Sequence, residues 1–97
     1  MADVVHELLA TEAAIEKLGA RSISADEAGQ LPRSVHIVVR NPSDPDEPGK
    51  RRLLIGRTDG NRTLTLVIER TIDPTTWLLV TGWNSKPVER NLLEQMQ

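Results

Sequence analysis

The hydrophobic pattern at the start of the chain has helical spacing. Apolar residues recur every three or four positions, with acidic residues between them, at Val4, Val5, Leu8, Leu9, Ile15 and Leu18. This spacing predicts one amphipathic helix over roughly residues 3–18, ended by Gly19 in a left-handed conformation. Ser24 is followed three residues later by Glu27, which is the capping-box pattern, so a second short helix is expected before Pro32.

After Pro32 the pattern changes to the alternation that is typical of strands. The alternating or apolar runs lie at residues 35–40, 52–57, 63–69 and 77–81. Asp59-Gly60-Asn61 tolerates the positive φ angles that a hairpin turn requires, so the second and third runs are expected to pair. The segment 41–49 contains three prolines and is predicted to be a mobile loop. Asn84 or Ser85 is expected to cap a last helix.

These elements predict an α+β fold in the order ααββββα, with residues 1–97 forming one small domain. Strands joined by short connections favour an antiparallel four-stranded meander. Leu64, Leu66 and Ile68 alternate with polar residues, so one side of the sheet is apolar. We therefore expect all helices to cover that one face and the other face to stay comparatively open.

Composition narrows the chemistry that the chain can carry. The 97 residues include no cysteine, which excludes disulfides, thiolate metal ligands and thiol nucleophiles. His6 and His36 are the two histidines and lie in different elements, so we expect no metal site, and no phosphate loop or cofactor motif is evident. The N-terminal region does not resemble a signal peptide, and these features favour a soluble, cytoplasmic protein.

Positive charge is concentrated in the middle of the chain. The net charge is −2, but residues 33–70 carry eight basic and five acidic side chains. Arginine offers planar forks of donors that match phosphate oxygens, so strand-borne arginines predict an anion-binding sheet face. The alternative is an ordinary solvated charged surface. His36 shares a face with Arg40 and is a candidate general acid or base, or else a half-buried polar residue.

Several segments resemble the BrnT-type toxins, RelE-like proteins of bacterial type II toxin–antitoxin modules. The resemblance runs through Glu16-Lys17-Leu18-Gly19, through the hairpin from Arg52 to Arg62 and the strand after it, through Leu79-Val-Thr-Gly-Trp83, and through Glu89-Arg90. The 41–49 segment is an addition. In the family, a histidine is usual at the position of Leu18, a strand-borne arginine is usual at the position of Trp83, and an aromatic residue often follows the Glu-Arg pair of the last helix. This chain departs from the pattern at all three places.

The resemblance implies a RelE/BrnT-like fold and a toxin that arrests translation and is neutralised by a ribbon-helix-helix antitoxin. It implies a metal-independent endoribonuclease or an RNA-binding protein, in which cleavage uses the 2′-hydroxyl as nucleophile. The candidate catalytic residues are His36, Arg57, Glu89 and Arg90, and the candidate RNA-binding residues are Lys17, Arg40, Arg52, Arg62 and Trp83. The alternative function is a non-catalytic protein-interaction module that retains the fold and uses Trp83 to bind a partner.

Overall fold

The structure is a computed structural model that describes residues 3–40 and 51–96. Along the chain the elements are β1 (Glu7–Ala10), α1 (Glu12–Gly19), α2 (Ala25–Gln30), a 3₁₀ turn (Leu31–Arg33), β2 (His36–Arg40), β3 (Arg51–Arg57), β4 (Thr63–Arg70), β5 (Thr76–Asn84) and α3 (Pro87–Met96). The predicted loop at 41–49 lies outside the described residues. No described helix has the length and apolarity that are needed to cross a membrane.

The described strands form one mixed sheet in the order β1-β5-β4-β3-β2. Strands β2 to β5 are antiparallel neighbours in sequence order, and β1 pairs in parallel with β5. The predicted α+β class is confirmed. The predicted four-stranded, all-antiparallel sheet is wrong in one respect, because a fifth strand extends it at the β5 side.

The long N-terminal helix is the largest error of the sequence-based prediction. The N–H groups of His6 and Glu7 donate to the carbonyl oxygen of Thr75, at 2.9 and 3.3 Å, and draw the chain into β1. Thr11 then caps α1, because its hydroxyl accepts a hydrogen bond from the Ala14 N–H at 3.1 Å. Pairs of adjacent apolar residues that recur every four positions fit one face of a helix. The same pairs also fit an edge strand, in which adjacent side chains point to opposite faces of the sheet.

Helices lie on both faces of the sheet, and the expectation that one face would stay uncovered is wrong. The larger core lies between α1, α2 and the sheet and includes Leu18, Leu31, Leu54, Leu64, Leu66, Ile68, Trp77 and Leu79. The smaller core joins α3 to the opposite face through Ile37, Ile55 and Leu93. Leu54 and Ile55 are adjacent in β3 and therefore point in opposite directions. We call these two sides the α1/α2 face and the α3 face.

Local signals predict the turns and caps with mixed success. The capping box of α2 is confirmed, since the Glu27 N–H donates to the Ser24 hydroxyl at 3.0 Å and the Glu27 carboxylate accepts from the Ser24 N–H at 3.1 Å. The β3–β4 hairpin is also confirmed, with Asn61 at a φ of 65°. Helix α1 does end at Gly19, but the left-handed residue after it is Ser22, with a φ of 61°.

Gly82 sets how closely α1 approaches β5. A Cβ atom built on Gly82 would lie 2.6 Å from Leu66 Cδ2, which is closer than packed carbon atoms come, and 3.1 Å from Leu18 Cδ2, which is a tight contact. Any side chain here would therefore force Leu66 to shift and Leu18, in α1, to give way by a few tenths of an ångström. The absence of a side chain brings the end of α1 and the residues that follow it against the outer half of β5.

Candidate functional site

The outer half of β5 lies beside the end of α1 and is not covered by β1. The register between β1 and β5 ends at the Ala10–Leu79 pair, so among the described strands β5 has no neighbour on that side beyond Leu79. Arg21 follows α1 and reaches this edge, where its Nη1 donates to Thr81 Oγ1 at 3.2 Å and to the Gly82 carbonyl oxygen at 3.0 Å. Lys17, Ala20, Arg21 and Thr81 line a shallow depression there.

An aromatic ring and a third cation continue this surface. Trp83 lies two residues after Thr81 in β5, so the two side chains leave the strand on the same side. The indole is half-buried, and Lys86 Nζ lies 5.8 Å from the centroid of its ring. Lys17, Arg21, Thr81, Trp83 and Lys86 are together called the β5 edge cluster below.

The cations of the β5 edge cluster differ from most arginines of the sheet. Lys17, Arg21 and Lys86 are exposed, and within 3–40 and 51–96 none of them forms a salt bridge. The arginines that do pair with carboxylates are Arg51, Arg52, Arg57, Arg62 and Arg70. Charges that lie within a Debye length of one another set the local potential, so this edge is positive although the whole chain is acidic.

A buried carboxylate holds Trp83 in place. Glu89 is only 8% exposed, and its Oε1 accepts hydrogen bonds from Trp83 Nε1 at 3.0 Å, Thr65 Oγ1 at 3.0 Å and the Lys86 N–H at 2.7 Å. Thr65 Oγ1 also lies 2.8 Å from the hydroxyl oxygen of Ser85. The Lys86 contact is the backbone half of a capping box, which explains why α3 begins at Pro87 rather than directly after the predicted caps.

This network assigns Glu89 and Arg90 to the start of α3. Glu89 orients the indole and satisfies a backbone donor, so three donors already occupy Oε1. Arg90 is exposed, and its Nη1 donates to the Ser85 carbonyl oxygen at 2.8 Å. Glu89 contacts Trp83 and Arg90 contacts Ser85, and these contacts are those of a helix start rather than of groups that are open to a substrate.

The structure does not bring the four candidate catalytic residues together. His36 pairs with Gly56 beneath Leu31 on the α1/α2 face, and its Nδ1 lies 2.8 Å from the Ser34 carbonyl oxygen. Arg57 lies one residue after Gly56 and therefore points to the α3 face, where its Nη2 is 4.0 Å from Glu94 Oε1. The sheet separates His36 from Arg57, Glu89 and Arg90.

Two of the candidate RNA-binding arginines have intramolecular roles. Arg62 joins three elements, with its Nη1 at 2.7 Å from the Ser22 carbonyl oxygen and 3.1 Å from Glu27 Oε2, and its Nε at 2.6 Å from Asn84 Oδ1. The backbone N–H of Ser24 and the Arg62 guanidinium lower the pKa of the Glu27 carboxyl.

Arg52 binds the N-terminal segment. Its Nε donates to Asp3 Oδ2 at 2.8 Å, and Arg70 donates to Asp3 Oδ1 at 2.7 Å. Burial by itself raises the pKa of Asp3, but hydrogen bonds from Arg70 and Arg52 outweigh it, so the pKa lies below its ordinary value. Arg40 is exposed at the end of β2, opposite Arg52 in the register and on the far side of the sheet from β5.

Sequence reasoning found Lys17 and Trp83 but missed Arg21, Thr81 and Lys86. Arg21 lies in residues 1–32, which carry two basic and six acidic side chains, and such a sum does not show which charges meet in space. One signal was available, because Lys17 and Arg21 are four residues apart, the spacing that places side chains on one side of a helical turn. The contact with Thr81 spans sixty residues and has no sequence signature.

Among the described residues, no group of three or more histidine, aspartate or glutamate side chains is arranged to hold a metal ion. No protein-family model matches the sequence, and no similar curated protein or solved structure was found. The resemblance to BrnT-type toxins therefore stays a prediction that rests on the short segments quoted above.

Proposed function

We propose that the protein is a BrnT-like toxin of a type II toxin–antitoxin module that binds RNA through the β5 edge cluster. One observation carries the proposal. Among the described residues, three exposed cations have no carboxylate partner and lie along the outer half of β5: Lys17 and Arg21 beside Thr81, and Lys86 over the Trp83 ring at the end of the strand. The indole offers a face for a base, and the ammonium and guanidinium groups offer donors for the adjoining phosphates.

Arg21 is well suited to a phosphate. Its Nη1 is fixed by Thr81 and by the Gly82 carbonyl oxygen, which orients the planar group along the strand edge. The remaining N–H donors of the guanidinium are not used in these two bonds and can meet an anion bidentately. Lys17 lies on the same depression and adds a mobile point charge.

The geometry supports binding more strongly than cleavage. Glu89 is the carboxylate nearest to Trp83, and its Oε1 is already occupied by three donors. His36, the other candidate for proton transfer, is on the opposite face of the sheet. The proposal is therefore an RNA-binding protein, and ribonuclease activity is tested separately below.

RNA affinity of paired variants tests the proposed site. Fluorescence anisotropy with a labelled single-stranded RNA is measured for the native chain, for Lys17→Gln with Arg21→Gln, and for Arg33→Gln with Arg40→Gln. Both double variants remove two exposed positive charges, but only the first removes them from the β5 edge cluster. We expect at least a tenfold loss of affinity in the first and little change in the second. Equal losses would show that binding follows net charge and not this site.

The role of the indole is tested with two substitutions at one position. Trp83→Phe keeps a ring for stacking but loses the hydrogen bond to Glu89, whereas Trp83→Leu loses both. Stacking of one base contributes about 1–3 kcal/mol to affinity. We expect Trp83→Leu to bind RNA more weakly than Trp83→Phe at equal folded fraction. Equal affinities of the two variants would remove stacking from the proposal.

Ribonuclease activity is tested by restoring the residue that is usual in the family. Labelled RNA is incubated in the presence of a chelator with the native chain and with Trp83→Arg. Cleavage by the native chain would establish a metal-independent endoribonuclease, and cleavage by Trp83→Arg alone would identify the native chain as a toxin that has lost one transition-state donor. Binding without cleavage in both is the result that the geometry favours.

The second candidate function is a non-catalytic protein-interaction module. It is favoured by the engagement of Glu89 and the separation of His36, which leave the described residues without an assembled acid–base pair. The neighbouring reading frame distinguishes the two candidates. A short ribbon-helix-helix protein encoded there supports the toxin, and its absence supports the module.

A further inference from the structure

We infer that the uncovered edge of β5 takes up an extended acidic segment of a partner protein as an added strand. The inference rests on the proposed function in one respect, namely that such a segment would cover the RNA-binding side chains. Two observations carry it: backbone groups that face outward at this edge, and the positive charge on both sides of them.

The backbone of Gly82 is presented outward. Its carbonyl oxygen accepts from Arg21 on the side away from β4, and in a strand the N–H of the same residue points to the same side. The β1–β5 pairing stops at Leu79, three residues earlier, so in the described part of the chain no strand meets the Gly82 N–H. A peptide placed there would continue the sheet beyond the end of β1.

The geometry of β1 leaves room for this addition. After Ala10 the chain turns into the Thr11 cap and enters α1, which crosses to the α1/α2 face. The depression beside Thr81 lies between the end of α1 and the edge of β5. An extended segment can lie along this depression, whereas a helix, about 10–12 Å wide with its side chains, is too broad for a single strand edge.

Charge selects an acidic segment. Lys17 and Arg21 lie at the end of α1, and Lys86 lies over the Trp83 ring at the end of β5. No described carboxylate neutralises them, so alternate side chains of an added strand would meet positive charge. In strand addition, main-chain hydrogen bonds supply much of the affinity and alternate side chains supply the selectivity.

A protective role explains the same features without any partner. Proteins commonly guard exposed strand edges with lysine and with β-bulges, and β5 is irregular where Val67 and Ile68 pair with Thr81 and Leu79. Strand addition and edge protection predict different experimental results. Protection predicts that an added strand is rejected and that removal of the cations causes self-association.

The experiment uses three end-blocked synthetic peptides. The first alternates Glu and Val, the second alternates Lys and Val, and the third is the Glu–Val peptide with alternate backbone nitrogens methylated to abolish pairing. Binding to the isotope-labelled full chain is followed by amide chemical shifts and by hydrogen exchange at Gly82. We expect binding of the Glu–Val peptide with slower exchange of the Gly82 N–H, and at least tenfold weaker binding of the other two.

The Lys17→Gln, Arg21→Gln variant is expected to bind the Glu–Val peptide at least tenfold more weakly, and Arg33→Gln, Arg40→Gln is expected to bind it normally. Three results would each overturn the inference. The first is equal binding of the methylated or the Lys–Val peptide, and the second is chemical-shift changes confined to the β2 edge. The third is self-association of the Lys17→Gln, Arg21→Gln variant when the native chain binds no peptide.

Competition with RNA separates this inference from the proposed function. The Glu–Val peptide should displace labelled RNA from the native chain. Peptide binding with no RNA binding would overturn the proposed function and leave strand addition standing. If the bound peptide does not affect RNA binding, the peptide and the RNA do not share a site.

Discussion

Gly82 shows at the residue scale how one missing side chain positions the candidate site. An alanine Cβ would meet Leu66 Cδ2 at 2.6 Å and Leu18 Cδ2 at 3.1 Å, so Leu66 would have to shift and Leu18, in α1, would have to give way slightly. Overpacking of this kind costs about 1–3 kcal/mol. We expect Gly82→Ala to lower the free energy of unfolding by that amount in urea denaturation.

Gly29 is the matched control for that prediction. It lies inside α2, and a Cβ built on it meets no atom within 4 Å. Glycine inside a helix is destabilising by roughly 0.5–1 kcal/mol relative to alanine, so Gly29→Ala should raise stability. A Gly82→Ala protein as stable as Gly29→Ala would contradict the close approach of α1 to β5.

Glu89 stabilises the fold through the donors that it satisfies. In Glu89→Leu, Trp83 Nε1, the Thr65 hydroxyl and the Lys86 N–H lose their shared acceptor, and one buried unpaired group costs about 1–3 kcal/mol. Glu89→Gln keeps one acceptor oxygen and should lose less. The measurement is the urea midpoint, with the exposed Glu94→Gln as control and an expected change within about 0.5 kcal/mol. Equal midpoints for the Leu and Gln variants would refute this role.

The roles of single residues were less predictable than their positions. The sequence places Glu89 next to Trp83 because a strand end and a helix start are a few residues apart. It cannot show that the carboxylate is buried beneath the indole, since burial depends on Thr65, which belongs to another strand. Trp77, by contrast, begins the apolar run at 77–81, a pattern that indicates burial directly, and it is 1% exposed.

At the scale of elements, the N-terminal segment is held across the end of the sheet by Asp3. Its carboxylate bridges Arg52 in β3 and Arg70 in β4, while the Trp77 Nε1 donates to the Val4 carbonyl oxygen at 3.0 Å. Local pattern could not reveal this segment or β1, because both are stabilised by partners about fifty or more residues away. The hairpin and the α2 capping box were predicted correctly because their partners are close in sequence.

The Asp3 bridge should make stability depend on pH in the acidic range. The pKa of Asp3 in the folded chain lies below its ordinary value of 3.8, so the two ion pairs contribute fully above that value. Their contribution is lost as the pH falls through the lowered, folded-state pKa. We expect the stability difference between the native chain and Asp3→Asn to be largest near neutral pH and to shrink below about pH 3.8.

Urea midpoints of both proteins over this pH range measure that difference. Glu27 and Asp73 also have lowered pKa values, but both are present in the two proteins and cancel in the comparison. A difference that stays constant with pH would show that Asp3 acts through packing and not through its charge.

At the scale of the whole molecule, the candidate catalytic residues predicted from the sequence lie on different faces of the sheet. Strand alternation correctly indicated that His36 and Arg40 share one face. It could not indicate which face α3 would cover, since that depends on the chain's path after β5. The positive surface therefore appears at the β5 edge, between the end of α1 on one face and the start of α3 on the other, and not on the middle strands, where Arg52 and Arg62 are used to hold the fold together.

The salt dependence of RNA affinity follows from how many cations meet phosphates. On a single strand, the logarithm of the affinity falls with the logarithm of the salt concentration by about 0.7 for each phosphate neutralised. If Lys17, Arg21 and Lys86 each contact one phosphate, the slope should be about −2. Removing Lys17 and Arg21 together should reduce the slope to about −0.7, because one contact remains.

The Arg33→Gln, Arg40→Gln protein is the control. It has the same net charge as that variant but an intact β5 edge cluster, so its slope should stay near the native value. Anisotropy titrations at several salt concentrations give all three slopes, and equal slopes for the two double variants would mean that RNA does not bind at this edge.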